Sequence, residues 1–289
     1  MTDAEHSFRL PLRRDVRVTT LSTGFATAVM PVAASALTTD TDGLEAGEVM
    51  IPTSAGSIPG YRALPLKPKG KVPVILVVHE IFGVHEYIKD VCRRLAKEGY
   101  YAIAPELFAR QGDVSKMTDF KDIIAKVVSK VPDAQVLSDL DAAVAFAKKD
   151  PHAAPTKLSI TGFCWGGRIT WLYAAHQPAL NAAVAWYGKI VGNRDELHPK
   201  NPADVVAELK APVLGLYGAK DQGIAVDTVE QQAHALASSS VMAAQASSIH
   251  LYPEAGHAFF SDYRPSYHDG SARDAWKRLL DWLKTHHAK

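Results

Sequence analysis

Hydrophobic and polar positions alternate in two registers along this chain, and the switches between them mark out its elements. Short apolar runs bounded by turn residues read as strands; apolar positions recurring every three or four residues read as helices. Glu48-Val49-Met50-Ile51 and Ile58-Pro59-Gly60-Tyr61-Arg62-Ala63 predict two short strands around the turn Thr53-Ser54-Ala55-Gly56. Val72 to His79 is a continuous apolar run, as a central parallel strand covered on both faces requires. The pattern then predicts helix 85–98, strand 101–104, helices near 117–130 and 133–149, strand 157–162 and a helical segment from Ile169 to His176. Strands 182–187 and 212–217, helix 226–237, strand 248–252 and helix 271–286 follow. Strands alternating with helices predict an α/β fold: a mostly parallel central sheet, right-handed crossovers and helices on both faces. Ligands of such sheets bind beyond the carboxyl ends of the strands.

With 289 residues and 47% apolar content, the chain has ample material for one large core, and residues 45–289 read as a single domain without repeats or linkers. A net charge of +1, from 32 basic and 31 acidic residues, gives no support for a nucleic-acid partner. No apolar run reaches 18 residues, so no membrane span is expected. A monomer or small homo-oligomer is expected. Residues 1–44 differ in character. Arg13-Arg14 precedes the weakly hydrophobic stretch Thr19 to Met30 and the small-residue end Ala33-Ala34-Ser35-Ala36. That layout predicts a twin-arginine export signal and a periplasmic location; the alternative is an N-terminal arm on a cytoplasmic protein.

The candidate chemistry centres on Gly162-Phe163-Cys164-Trp165-Gly166-Gly167-Arg168. A strand ending in G-x-nucleophile-x-G and turning into a helix is the nucleophile elbow of α/β-hydrolases, here with cysteine in the nucleophile slot. A Cβ at 162 or 166 would crowd the neighbouring backbone in so tight a turn. The turn aims the Cys164 sulfur at the amino end of the next helix, whose amides favour a thiolate and an oxyanion. The other reading of Cys164 is a small buried thiol. Downstream, the strand Pro212 to Gly218 is followed by Asp221, and the strand Ser248 to Pro253 by Glu254-Ala255-Gly256-His257. Asp221 and His257 therefore fall, in chain order, where an orienting carboxylate and a general base are needed.

These segments, together with Val77-Val78-His79-Glu80-Ile81-Phe82-Gly83 and Tyr101-Ala102-Ile103-Ala104-Pro105-Glu106-Leu107-Phe108-Ala109-Arg110, resemble the dienelactone hydrolase (carboxymethylenebutenolidase) family. The match runs from about residue 45 to the C-terminus. The resemblance implies an α/β-hydrolase fold, a Cys164-Asp221-His257 triad and an oxyanion hole made by the Ile81 and Trp165 amides. It implies a Glu80 that contacts the nucleophile at rest and helps generate the thiolate, and an Arg110 that grips a substrate carboxylate. A small ester or lactone substrate and no cofactor follow. Ser261 stands where the family has its second carboxylate-binding arginine, with Arg264 three positions further on as a candidate replacement.

Other readings carry less. His79-Glu80 lacks the second histidine of a helical zinc motif, because position 83 is glycine, so no metal site is expected. No phosphate-binding glycine pattern occurs. Cys92 falls among Val91, Leu95 and Ala96 and is expected in the core, not in a disulfide. Trp165, Trp186 and Tyr187 are pocket or core aromatics, and Arg110 either binds substrate or pairs with Glu106. The function expected is hydrolysis of small esters or lactones. The alternative is a thiol redox or sensor module without turnover, which needs a low-pKa thiol but no base and orienter in triad order.

Overall fold

A computed structural model describes residues 39–287; the arginine pair and small-residue stretch of the export-signal expectation lie outside the described residues. Eight strands form one sheet: β1 (Leu44–Thr53), β2 (Gly56–Pro65), β3 (Val72–Val78), β4 (Tyr101–Pro105), β5 (Ala153–Phe163), β6 (Leu180–Trp186), β7 (Val213–Gly218) and β8 (Ser248–Tyr252). Their order is β1-β2-β4-β3-β5-β6-β7-β8, and only the pairings of β2, with β1 and with β4, are antiparallel. The hairpin β1–β2 turns at Gly56, whose φ of +103° an L side chain resists. The helices are α1 (Glu86–Lys97), α2 (Phe120–Lys126), α3 (Asp133–Ala147), α4 (Trp165–His176), α5 (Val226–Ala237), α6 (Met242–Gln245) and α7 (Asp269–His287).

The alternation of side chains along β3 shows how the core is divided. Val74, Leu76 and Val78 pack on one face with Val136 and Leu140 of α3 and Ile169 and Leu172 of α4. Ile75 and Val77 pack on the other with Ile88, Val91, Cys92 and Leu95 of α1 and Leu279 and Leu283 of α7. Cys92 is fully buried, and burial pushes its thiol well above the ordinary range, so it behaves as a small apolar side chain. Both cysteines are free.

Three expectations need correction. The helix near 117–130 is only α2, flanked by 3-10 turns at Val114–Lys116 and Val128–Lys130; Val127, at φ −121° and ψ −67°, leaves helical geometry. The helix after the elbow begins at Trp165 rather than Ile169. A 3-10 segment at Pro202–Glu208, capped reciprocally by Asn201 and Asp204, and the short α6 were not anticipated. Among the described residues no helix is long and apolar enough to cross a membrane.

Candidate active site

β5 delivers Phe163, fully buried between the sheet and α7, and the chain then reverses at Cys164 with φ +55° and ψ −114°. A non-glycine residue held in that region is strained by about 1–3 kcal/mol and persists only where its surroundings enforce it. Here the Cys164 amide donates to the Trp186 carbonyl at the end of β6 (3.0 Å), while the Cys164 carbonyl accepts from the Gly167 amide (3.0 Å). The neighbouring glycines are steric necessities. A Cβ on Gly162 would lie 2.3 Å from the Gly166 carbonyl oxygen, and one on Gly166 would lie 2.4 Å from that of Val78. Strand and helix thus pack backbone to backbone, and Cys164, partly exposed, sits at the amino end of α4.

β7 and β8 bring the two downstream residues together. The loops after them are laced by Ala219 N–H to the Tyr252 carbonyl and Lys220 N–H to the Ala255 carbonyl, each 2.9 Å. Across this seam His257 Nδ1 lies 2.7 Å from Asp221 Oδ2, and Asp221 Oδ1 is fixed by the Gly223 amide at 2.8 Å. Burial by itself would lower the His257 pKa. It is outweighed by the charge of Cys164 and by hydrogen bonds to Asp221 and Cys164, which raise the imidazole to about 10. With Nδ1–H given to Asp221, Nε2 is the nitrogen left to face the sulfur. The Tyr187 ring stands edge-on to His257 at 5.2 Å, and Tyr187 (φ +37°) and Ala258 (φ +57°) are the other non-glycine residues at positive φ among the described residues. Backbone strain therefore gathers at this edge of the sheet.

Glu80 follows β3 and is buried with its carboxylate engaged: Arg264 Nη2 donates to Oε2 at 2.9 Å, Tyr263 OH at 3.4 Å, and His85 Nε2 stands 3.6 Å away. Burial opposes ionisation, but Arg264, His85 and His257 outweigh it and hold the Glu80 pKa at about 2. The resemblance implied a resting contact between Glu80 and the nucleophile. Instead, among the described residues its hydrogen bonds go to Arg264 and Tyr263. Arg264 does fold back into the site, with its guanidinium 5.0 Å from the Phe82 ring centre and 4.9 Å from that of Tyr263. His79 is a clamp: Nδ1–H donates to the Glu80 carbonyl (2.6 Å) and Nε2 accepts from the Leu107 amide (3.1 Å). It stacks on Trp165 at 5.5 Å, and burial depresses its pKa, so it stays neutral. Neither the Ile81 nor the Trp165 amide donates to a backbone acceptor among the described residues. No cluster of metal-ligating side chains occurs among them either.

Arg110 does not pair with Glu106. Its Nη2 is bound to the buried carboxylate of Asp139, and its Nη1 reaches Thr53 Oγ1 at 3.4 Å. Arg110 lines a cavity of about 460 Å³ together with Phe82, His85 and Glu106. Cys164 and His257 are not in its wall; it adjoins them through Phe82 and His85, which share a loop with Glu80 and Ile81. Cys164, His257 and Asp221 form one cluster, and the cavity opens against the loop after β3 that carries Glu80. Trp186 is core, its indole N–H donating to Thr161 Oγ1 at 2.9 Å. The residues that sequence reasoning missed are Tyr263, His85 and Asp139, each joined to the site by a side-chain contact that no local pattern encodes.

An elbow cysteine on a mostly parallel eight-stranded sheet, with an aspartate and a histidine beyond two later strands, defines a protein of the α/β-hydrolase fold. The model of the dienelactone hydrolase family matches residues 58–287, and the chain belongs to that family. A Methylorubrum extorquens protein provisionally named carboxymethylenebutenolidase is 62% identical over 273 residues, covering 94% of this chain and 92% of its own. An Escherichia coli K12 protein of the same provisional name is 50% identical over 274 residues, covering 94% and 98%. The crystal structure of a provisionally named dienelactone hydrolase from Klebsiella pneumoniae superposes with a TM-score of 0.80 at 54% identity, covering 83% of this chain and 98% of that one. The protein is accordingly an enzyme of the ester and lactone hydrolase class.

Proposed function

We propose that this hydrolase cleaves small esters or lactones by acyl transfer through a thioester on Cys164. One observation carries the reading: a single imidazole, its proton held against an aspartate at 2.7 Å and its pKa raised by burial-opposing contacts with Cys164 and Asp221, stands at a strained elbow cysteine. In the proposed cycle the Cys164 proton passes to His257, and the resulting thiolate–imidazolium pair carries the attack. The sulfur attacks the carbonyl carbon, and the oxyanion is received by the Ile81 and Trp165 amides. That attack forms the S–C bond; collapse of the oxyanion then breaks the C–O bond and sends the His257 proton to the leaving oxygen. His257, now neutral, takes a proton from water; the hydroxide attacks the thioester, the S–C bond breaks, and the acid departs as the ion pair is restored. Glu80, anionic and felt by His257, is proposed to set how readily that pair forms.

Replacement of Cys164 by alanine, or of His257 by alanine, is expected to lower kcat on a p-nitrophenyl ester by about 10⁴-fold or more, as loss of a nucleophile or base does elsewhere. Near-native turnover by Cys164→Ala would refute the mechanism. Native protein that alkylates and oxidises at Cys164 but turns over no ester would favour the sensor reading instead.

A further inference from the structure

The charges around the cavity formed by β2 and the loops after β3 and β4 do not suit an acidic substrate. Ile58, Pro59, Phe82 and Val84 supply apolar wall, and the ionisable members are His85, Glu106, Arg110 and Asp113. Arg110, its only guanidinium, is already bound to Asp139, whose side chain is 3% exposed. Asp113 is matched at the surface by Lys116 at 3.0 Å. Among the described residues Glu106 has no such cationic partner. Its carboxylate accepts from the Val84 amide (2.6 Å) and the Phe108 amide (3.3 Å), which fix it without cancelling its charge. The imidazole 3.5 Å away, His79, is kept neutral by burial and by the Leu107 amide on its Nε2. The second guanidinium near the site, Arg264, is buried against Glu80 and Tyr263. Each arginine thus has its own buried carboxylate, and one carboxylate is left over. A substrate carboxylate would meet guanidinium groups whose charge is already matched by a carboxylate, and would come within range of the unmatched charge of Glu106.

From this arrangement, and resting on the acyl-transfer reading above, we infer that the enzyme's substrates are neutral esters or lactones with an apolar acyl group and no free carboxylate. Arg110 and Arg264 serve to hold Asp139 and Glu80 rather than to grip a substrate.

The test compares p-nitrophenyl hexanoate with mono-p-nitrophenyl adipate, which differ only in a terminal methyl against a terminal carboxylate. At low salt the hexanoate should have the higher kcat/KM by about ten-fold or more, the effect of one unscreened like charge at close range. The ratio should shrink as salt screens the charge. Glu106→Gln, which removes the charge, should narrow the ratio several-fold, whatever it does to the hexanoate rate itself. Asp139→Asn, which frees Arg110, should also favour the adipate; should that variant fold poorly, Glu106→Gln still decides. Equal or faster cleavage of the adipate by native enzyme, with activity abolished in Cys164→Ala, would overturn the charge inference and leave the hydrolase reading intact. Hexanoate cleavage that survives in Cys164→Ala would overturn that reading and this inference with it.

Discussion

Cys164 holds a backbone conformation it would not choose, because the hydrogen bond from its amide to Trp186 and the contact of Gly166 with Val78 leave no other path for the chain. Gly166→Ala should therefore cost about 3 kcal/mol or more of stability, read as a lower denaturant midpoint, since backbone and not a flexible side chain meets the new methyl. The ionisable residues give stability two pH windows. The folded state keeps the His257 proton up to about pH 10, whereas an unfolded histidine releases it near 6.5. That contribution is complete below about 6.5 and is lost as pH rises through about 10. Glu80 acts in the opposite sense: its contribution is present above its ordinary value of about 4.5 and is lost as pH falls toward about 2. Titrating His257 by NMR in native protein and in Cys164→Ala should show a lower pKa in the variant; an unchanged value would mean that the sulfur does not hold the proton. Cys164, Asp221 and His257 were legible in the sequence because each follows a strand at a turn whose residues betray it. Asp139 was not, and Arg264 was singled out without its partner Glu80. Their partners lie 29 and 184 residues away, and complementary charges at such separations leave no local trace.

Between elements, the loop after β3 and the loop between β8 and α7 are joined by the Glu80–Arg264 pair, and α1 is tied to the second loop by Tyr87 OH on the Phe260 carbonyl at 3.2 Å. Removing one member of such a buried pair strands the other. Arg264→Met should cost about 3–5 kcal/mol, while Glu80→Gln with Arg264→Met should recover a large part of it. A double variant no more stable than Arg264→Met would show that the pair is not coupled. Element boundaries were legible wherever burial is two-sided or strictly alternating: β3, β4 and β7 lie within two residues of the apolar runs that predicted them. Segment 117–130 misled because lysines and apolar residues there have helical spacing, yet Val127 breaks the turn and Ile123 alone of α2 is buried. The 3-10 segment at Pro202–Glu208 is too short to show a helical period, and its cap, Asn201 with Asp204, is a pairing of side chains and not a periodicity.

At the scale of the molecule, the same six central strands serve both core faces, so neither face is a separate unit. Trp165 and Trp171 belong to the α3–α4 side, and Trp186, Trp276 and Trp282 to the α1–α7 side. Thermal unfolding followed by tryptophan fluorescence should therefore coincide with that followed by far-UV circular dichroism; two separated transitions would mean that the faces melt independently. The α/β architecture was readable from the alternation of strands and helices, and the site's edge from the rule that ligands lie beyond strand carboxyl ends. What the chain's pattern left unsaid is the balance of charge in the cavity, which arises only when β2, the loops after β3 and β4, and Asp139 of α3 meet. In the proposed mechanism Cys164 becomes acylated. Mixing the enzyme with excess p-nitrophenyl hexanoate, quenching in acid within milliseconds to seconds and mapping peptides by mass spectrometry should find the hexanoyl group on the peptide containing Cys164, decaying at the turnover rate. Steady turnover with no acyl adduct, or an adduct on any other residue that forms and decays competently, would contradict it.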